Sequence, residues 1–203
     1  YECRHGIGYS RFTSSKNGVK ASVLSFVPLN DNCEISQLTL TNGSSEDKKL
    51  SVFSYVEWCL WNADDDMKNF QRNLSTGEVE VQDSTIYHKT EYRERRNHYA
   101  IYSVNTKIDG FDTSRDAFLG AYRGADSPEA IENGKCTNSM ASGWSPIASH
   151  QINVDLAAGE TKTFIFVLGY IENPEDEKWE SYGVINKTRA KEMLAKYQTD
   201  AQV

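Results

Sequence analysis

Short runs in which apolar and polar residues alternate, each closed by turn-forming residues, recur along most of this chain, and a period of two marks half-buried β-strands. Val19-Lys20-Ala21-Ser22-Val23-Leu24-Ser25-Phe26-Val27 predicts one strand, halted at Pro28. Residues 35–41 predict the next. Asn42-Gly43-Ser44-Ser45-Glu46-Asp47 then supplies turn residues ahead of residues 50–58, so these two strands are expected to form a hairpin. Further strands are expected at 77–81, 84–92, 99–104, 151–156 and 161–170. The last contains Phe164-Ile165-Phe166-Val167-Leu168, apolar on both sides, as a central strand covered on both faces should be. Ala157-Ala158-Gly159-Glu160 joins it to the strand before. A helical period shows only near the end, where Asn186 can cap residues 187–197 and Ala190, Met193, Leu194 and Tyr197 share a face. The pattern predicts an all-β, antiparallel β-sandwich with a carboxy-terminal linker helix, the sandwich over 1–185 and the linker from 186 to 203.

The composition narrows the function classes. At 203 residues, with 38% hydrophobic and 11% aromatic residues, the chain has the material for one buried core. A formal net charge of -7 argues against nucleic acid as a partner, because phosphate-binding surfaces carry a basic excess. No stretch approaches the roughly 20 apolar residues of a membrane helix. Cys3, Cys33, Cys59 and Cys136 are far apart and form no CxxC pair, so they are expected to be free buried thiols rather than zinc ligands or a redox pair. The chain opens on Tyr1, without an initiator Met or signal segment, and its last helix runs on without a stop signal. A sandwich truncated at its start, in a polypeptide that continues past Val203, is the expectation.

Three clusters invite a chemical reading. Asp64-Asp65-Asp66 offers carboxylates for a metal or for acid–base work, although a solvated loop or the first turn of a short helix is the better account of a like-charge run. Arg93-Glu94-Arg95-Arg96-Asn97-His98 could hold a phosphate, since Arg forks bind its oxygens in pairs, but Glu91 and Glu94 make an ion-paired surface the simpler account. Of Trp58, Trp61, Trp144 and Trp179, which could stack on sugar rings, only Trp61 has polar neighbours that favour partial exposure. Elbow, zincin and P-loop motifs are missing. The Asn42, Asn73 and Asn186 glycosylation triplets mean nothing without a secretory route.

Several long strings carry a resemblance. Tyr1-Glu2-Cys3-Arg4-His5-Gly6, Glu57-Trp58-Cys59-Leu60-Trp61-Asn62-Ala63, Asn69-Phe70-Gln71-Arg72-Asn73, Ser75-Thr76-Gly77-Glu78-Val79-Glu80 and the run from Ile86 through Tyr99 all resemble the cellobiose phosphorylases. So do Gly110-Phe111-Asp112, Ala141-Ser142-Gly143-Trp144, Glu177-Lys178-Trp179-Glu180 and Val184-Ile185-Asn186-Lys187. These enzymes are grouped with glycoside hydrolase family 94 and were earlier classed as glycosyltransferases. The resemblance implies a supersandwich-type domain, followed in the family by an (α/α)6 catalytic barrel. It also implies reversible phosphorolysis of cellobiose to α-glucose 1-phosphate and glucose.

In that chemistry a barrel Asp protonates the glycosidic oxygen while phosphate attacks the opposite face, so no second carboxylate is needed. This chain is then expected to hold no catalytic residue and no metal, and to need no cofactor, inorganic phosphate being the co-substrate. Its implied share is the loop 62–74. There Arg72 matches an arginine that binds acceptor-sugar hydroxyls, with Gln71 beside it. The resemblance also implies a homodimer, a barrel in the same polypeptide as partner, and a cytoplasmic location. A phosphorylase of chitobiose or another β-glucan, or a stand-alone carbohydrate-binding sandwich, remain the alternatives.

Overall fold

The computed structural model describes residues 1–58, 77–89, 97–143 and 146–203. Its strands are β1 (Glu2–Gly6), β2 (Tyr9–Lys16), β3 (Val19–Phe26), β4 (Cys33–Asn42), β5 (Lys48–Phe53), β6 (Val56–Glu57), β7 (Gly77–Gln82), β8 (Thr85–His88) and β9 (His98–Val104). After these come β10 (Gly110–Ser114), β11 (Ser142–Gly143), β12 (Pro146–Leu156), β13 (Thr161–Glu172), β14 (Trp179–Ser181) and β15 (Val184–Ile185). Short helices cover Arg115–Leu119 and Glu129–Glu132, and the chain ends on helix Thr188–Leu194 and a 3-10 turn, Ala195–Tyr197.

Among the described residues, nine strands make a large sheet in the order β1-β2-β3-β4-β13-β9-β8-β7-β11. A smaller sheet, β10-β12-β5 with β6 also on β12, lies against its middle. Neighbouring strands pair antiparallel, as the alternation predicts.

The expected hairpin between residues 35–41 and 50–58 does not form. β4 pairs with β3 and β13, whereas β5 pairs with β12 in the other sheet. The reason lies in where the side chains go: Leu38 and Leu40 of β4 and Leu50 and Val52 of β5 feed one intersheet core, so the strands stack rather than pair. Asn42 makes the corner between them. It is fully buried; its Nδ2 donates to Glu46 O (2.8 Å), Leu156 O (3.0 Å) and Ala157 O (3.1 Å), and its Oδ1 accepts from Ser44 N and Oγ. The strand expected over 50–58 is also broken, at Ser54 and Tyr55, where Ser54 exchanges hydrogen bonds with the backbone of His150.

β13 is covered on both faces, as its sequence requires. Phe164 and Phe166 pack inward with Ile152, Val154 and Leu156 of β12. Ile165, Val167 and Ile171 point the other way, into a second core with Ile35, Ile101, Ala190, Met193, Leu194 and Tyr197. The carboxy-terminal helix therefore lies on the outer face of the large sheet. The N-cap position of this helix falls on Lys187, not on Asn186 as expected, and Asn186 Oδ1 accepts the Thr188 N–H at 3.2 Å from one residue further out. Two ion pairs fasten this segment: Lys187 Nζ to Glu80 (2.5 Å) and Lys196 Nζ to Asp31 (2.7 Å), the latter carboxylate also accepting from Tyr197 Oη (2.6 Å).

The cysteines divide. Cys33 and Cys136 are free and buried, but Cys3 is exposed on β1, against the expectation, because this strand lies beyond the part of the sheet that the smaller one covers. Cys59 lies outside the described residues.

Candidate functional site

Gln71 and Arg72 lie outside the described residues, as do Trp61, the Asp64-Asp65-Asp66 run, Arg93 to Arg96, and Trp144. What the structure does place is the set of residues from which those segments leave. Trp58 packs on His88 with ring centroids 5.3 Å apart; Gly77 pairs with Gly143; Lys89 N–H bonds Glu78 O at 3.0 Å; Asn97 O accepts from Asn173 N at 3.1 Å; Glu57 pairs with Ile147, beside Pro146. The described residues 58, 77, 89, 97, 143 and 146 thus all lie at one end of the sandwich.

A cavity of about 820 Å³ opens at the same end. Its floor follows from register. His88, Ala100 and Tyr170 stand side by side on β8, β9 and β13, and Tyr170 N–H continues the row to Asn32 O at 2.9 Å. Ala100 has no bulk beyond its Cβ, while the ring on either side is held away from it, His88 beneath Trp58 and Tyr170 against His98 at 5.1 Å. The hollow forms above Ala100. Leu168 and Glu34, a cross-strand pair, extend it along β13 and β4, and the exposed Val27 and Leu29, with half-buried Pro28 between them, make a lip.

The charges around the cavity are unequally committed. Glu57 accepts from Tyr55 Oη (2.6 Å) and Arg115 Nε (3.1 Å). Asp31 is held below the usual carboxylate range by its hydrogen bonds from Lys196 and Tyr197. Glu34, on the exposed side, receives among the described residues only a 3.5 Å contact from Ser36 Oγ. Trp58 Nε1 is buried and has no hydrogen-bond partner among the described residues. Burial pushes the neighbouring His88 imidazole down to about 4, so it is neutral at pH 7 and supplies no positive charge here.

Beside this end, Lys89, Lys178 and Lys187 converge on the β14–β15 hairpin. Glu80 is flanked by Lys187 and Lys89 (3.4 Å) and accepts the Ile185 N–H at 2.9 Å; although burial works against ionisation, these bonds and charges hold it below its ordinary value. Lys178 and Lys89 lie 5.0 and 5.8 Å from the Trp179 ring, which is 36% exposed, so partial exposure is not reserved for Trp61. Sequence reading missed Ala100, Tyr170 and Glu34 as partners in a hollow, because only the pairing of β4, β9 and β13 brings them together. No group of three or more His, Cys, Asp or Glu among the described residues is arranged to hold a metal.

Comparison with known proteins places the chain firmly. It matches the family described as "Glycosyl hydrolase 94, supersandwich domain" over residues 1–200. It is 29% identical, over all of its length, to the N,N'-diacetylchitobiose phosphorylase of Vibrio furnissii, and 31% identical, over 83% of its length, to that of Vibrio proteolyticus. It is also 28% identical, over 86% of its length, to the solabiose phosphorylase of Paenibacillus borealis. The chain spans only 24%, 21% and 23% of these relatives.

Proposed function

Because the chain belongs to the glycosyl hydrolase 94 supersandwich family, we propose that it is the sandwich domain of an inverting disaccharide phosphorylase whose catalytic barrel lies in the same polypeptide. The observation that carries this is the match over nearly the whole chain, with relatives that are themselves named phosphorylases. In this reading the sandwich presents loop 62–74 to the barrel. Arg72, with its planar fork of donors, holds two acceptor-sugar hydroxyls at once, and Gln71 assists it. The barrel's acid protonates the glycosidic oxygen and inorganic phosphate attacks from the opposite face, so the sandwich provides binding and contributes no proton. Dimer contacts are its other task. Free Cys3, Cys33 and Cys136 suit a cytoplasmic setting, where disulfides are rare.

Cellobiose is the proposed substrate, on the Glu57 to Asn62 and Arg93 to His98 strings. N,N'-Diacetylchitobiose is the second reading, favoured by the names of the two Vibrio relatives. Purified full-length protein, given phosphate and each disaccharide in turn, separates them by which releases a sugar 1-phosphate. Release from neither overturns the phosphorylase reading. Arg72→Ala is expected to lower kcat/KM in the synthetic direction, with glucose as acceptor, by about 10- to 150-fold, the range for hydrogen bonds to a charged group. Unchanged acceptor kinetics would remove Arg72 from the site.

A further inference from the structure

We propose that the cavity above Ala100 is a binding site for a neutral pyranose. The inference stands on the described residues and does not rest on the family reading. A volume of about 820 Å³ is in the range of small-molecule sites and has room for one or two sugar rings. Its apolar surface has the composition a sugar ring needs. Trp58 and Tyr170 supply aromatic surface across a floor of Ala100 and Leu168, and the C–H face of a pyranose packs on such surface while its hydroxyls point to the polar wall.

That wall consists of Asn32 and the carboxylates Asp31, Glu34 and Glu57, hydrogen-bond acceptors suited to hydroxyl donors. Charge decides between ligand classes. Lys196 and Arg115 are already committed to Asp31 and Glu57, and no Lys or Arg is among the described residues that line the cavity, so a sugar phosphate or a uronate would face Glu34 with no further cation among those residues to pair with it. A quaternary ammonium is disfavoured for the opposite reason: Arg115 and Lys196 already occupy Glu57 and Asp31, which leaves one carboxylate, Glu34, and not a closed aromatic cage. A neutral polyhydroxyl ligand satisfies both conditions. The exposed lip of Val27 and Leu29, at 64% and 100% exposure, would lie along the ring's outer edge.

Isothermal calorimetry on the 203-residue chain tests this with methyl β-D-glucopyranoside and cellobiose as probes, and with glucose 1-phosphate and choline as controls. Millimolar binding of the neutral sugars without binding of the controls is expected. Trp58→Ala should weaken it by about tenfold through the lost aromatic surface, and the exposed change Glu34→Gln by about three- to tenfold. Thermal melts check that each variant is folded; if Trp58→Ala is not, Glu34→Gln decides alone. No sugar binding at tens of millimolar, sugar binding unchanged in Glu34→Gln, or binding of choline in place of sugar each overturns the site. Because no phosphorolysis is measured, failure here would leave the phosphorylase reading standing, and the converse also holds.

Discussion

Burial, more than any ion pair, determines how single residues of this sandwich respond to pH. His150 is sealed between the sheets, stacked 5.0 Å from Tyr102, and burial pushes it down to about 3; His88 is pushed down to about 4. Both titrate near 6.5 in an unfolded chain, so below that value the unfolded state takes up protons that the folded state refuses. Their stabilising contribution is whole above pH 6.5 and shrinks as pH falls toward the folded values. Urea unfolding is expected to show a loss of about 1–2 kcal/mol per histidine between pH 7 and pH 5. Asp31 and Glu80, whose lowered values start from 3.8 and 4.5, act only below that window. His150→Phe should remove about half of the slope, and a profile that stays flat in the parent protein would show that these rings are accessible to protons. Such residues mark the limit of legibility: a histidine in a strand gives no sign of its burial, just as Cys3 and Trp179 gave no sign of their exposure. Phe166 was readable because local pattern decides it.

At the scale of elements, strands that carry apolar alternation were legible, and those without it were not. β1 and β2 read Glu-Cys-Arg-His-Gly and Tyr-Ser-Arg-Phe-Thr-Ser-Ser-Lys, too polar to announce a strand, because they extend the sheet beyond the part that is covered. The expected hairpin failed for another reason: a Gly- and Ser-rich turn is equally compatible with pairing inside one sheet and with a corner between two. The terminal helix was visible through its period, but its seat on the sheet was not. That seat is a large part of the second core, since Ala190 and Leu194 bury themselves on Ile35, Ile101 and Ile165. Leu194→Ala is expected to destabilise the chain by about 2–5 kcal/mol, while the exposed Glu192→Ala stays within about 0.5 kcal/mol. Parallel thermal melts read both. Equal, small shifts would mean that the helix stands off the sheet.

On the scale of the molecule, one strand matters more than its size suggests. Among the described residues β1 ends the large sheet with every residue exposed and pairs with β2 alone, so one row of its N–H and C=O groups has no described strand beside it. Glu2 and Arg4 blunt this edge but do not cover it. The 203-residue chain is therefore expected to self-associate, with a mass by light scattering that rises with concentration. A monomer at the highest concentrations reached would contradict this.

The corner at Asn42 has a kinetic meaning as well. There β4 leaves the large sheet for β5 in the small one, while β12 leaves the small sheet for β13 in the large one, and a single side chain bonds both passages. Neither sheet can then be completed from contiguous chain. Thr41 meets Thr161 across 120 residues of sequence, and β5 must wait for β12 just as β4 waits for β13. Loop closure on that scale precedes the contacts that reward it, which places folding among the slow all-β domains, at about milliseconds to seconds. During that interval the larger sheet stays in two pieces: a nascent chain that has not yet reached Thr161 holds the strands of the smaller sheet and eight of the nine described strands of the larger, but lacks β13, which joins β4 to β9, so an apolar face stays open.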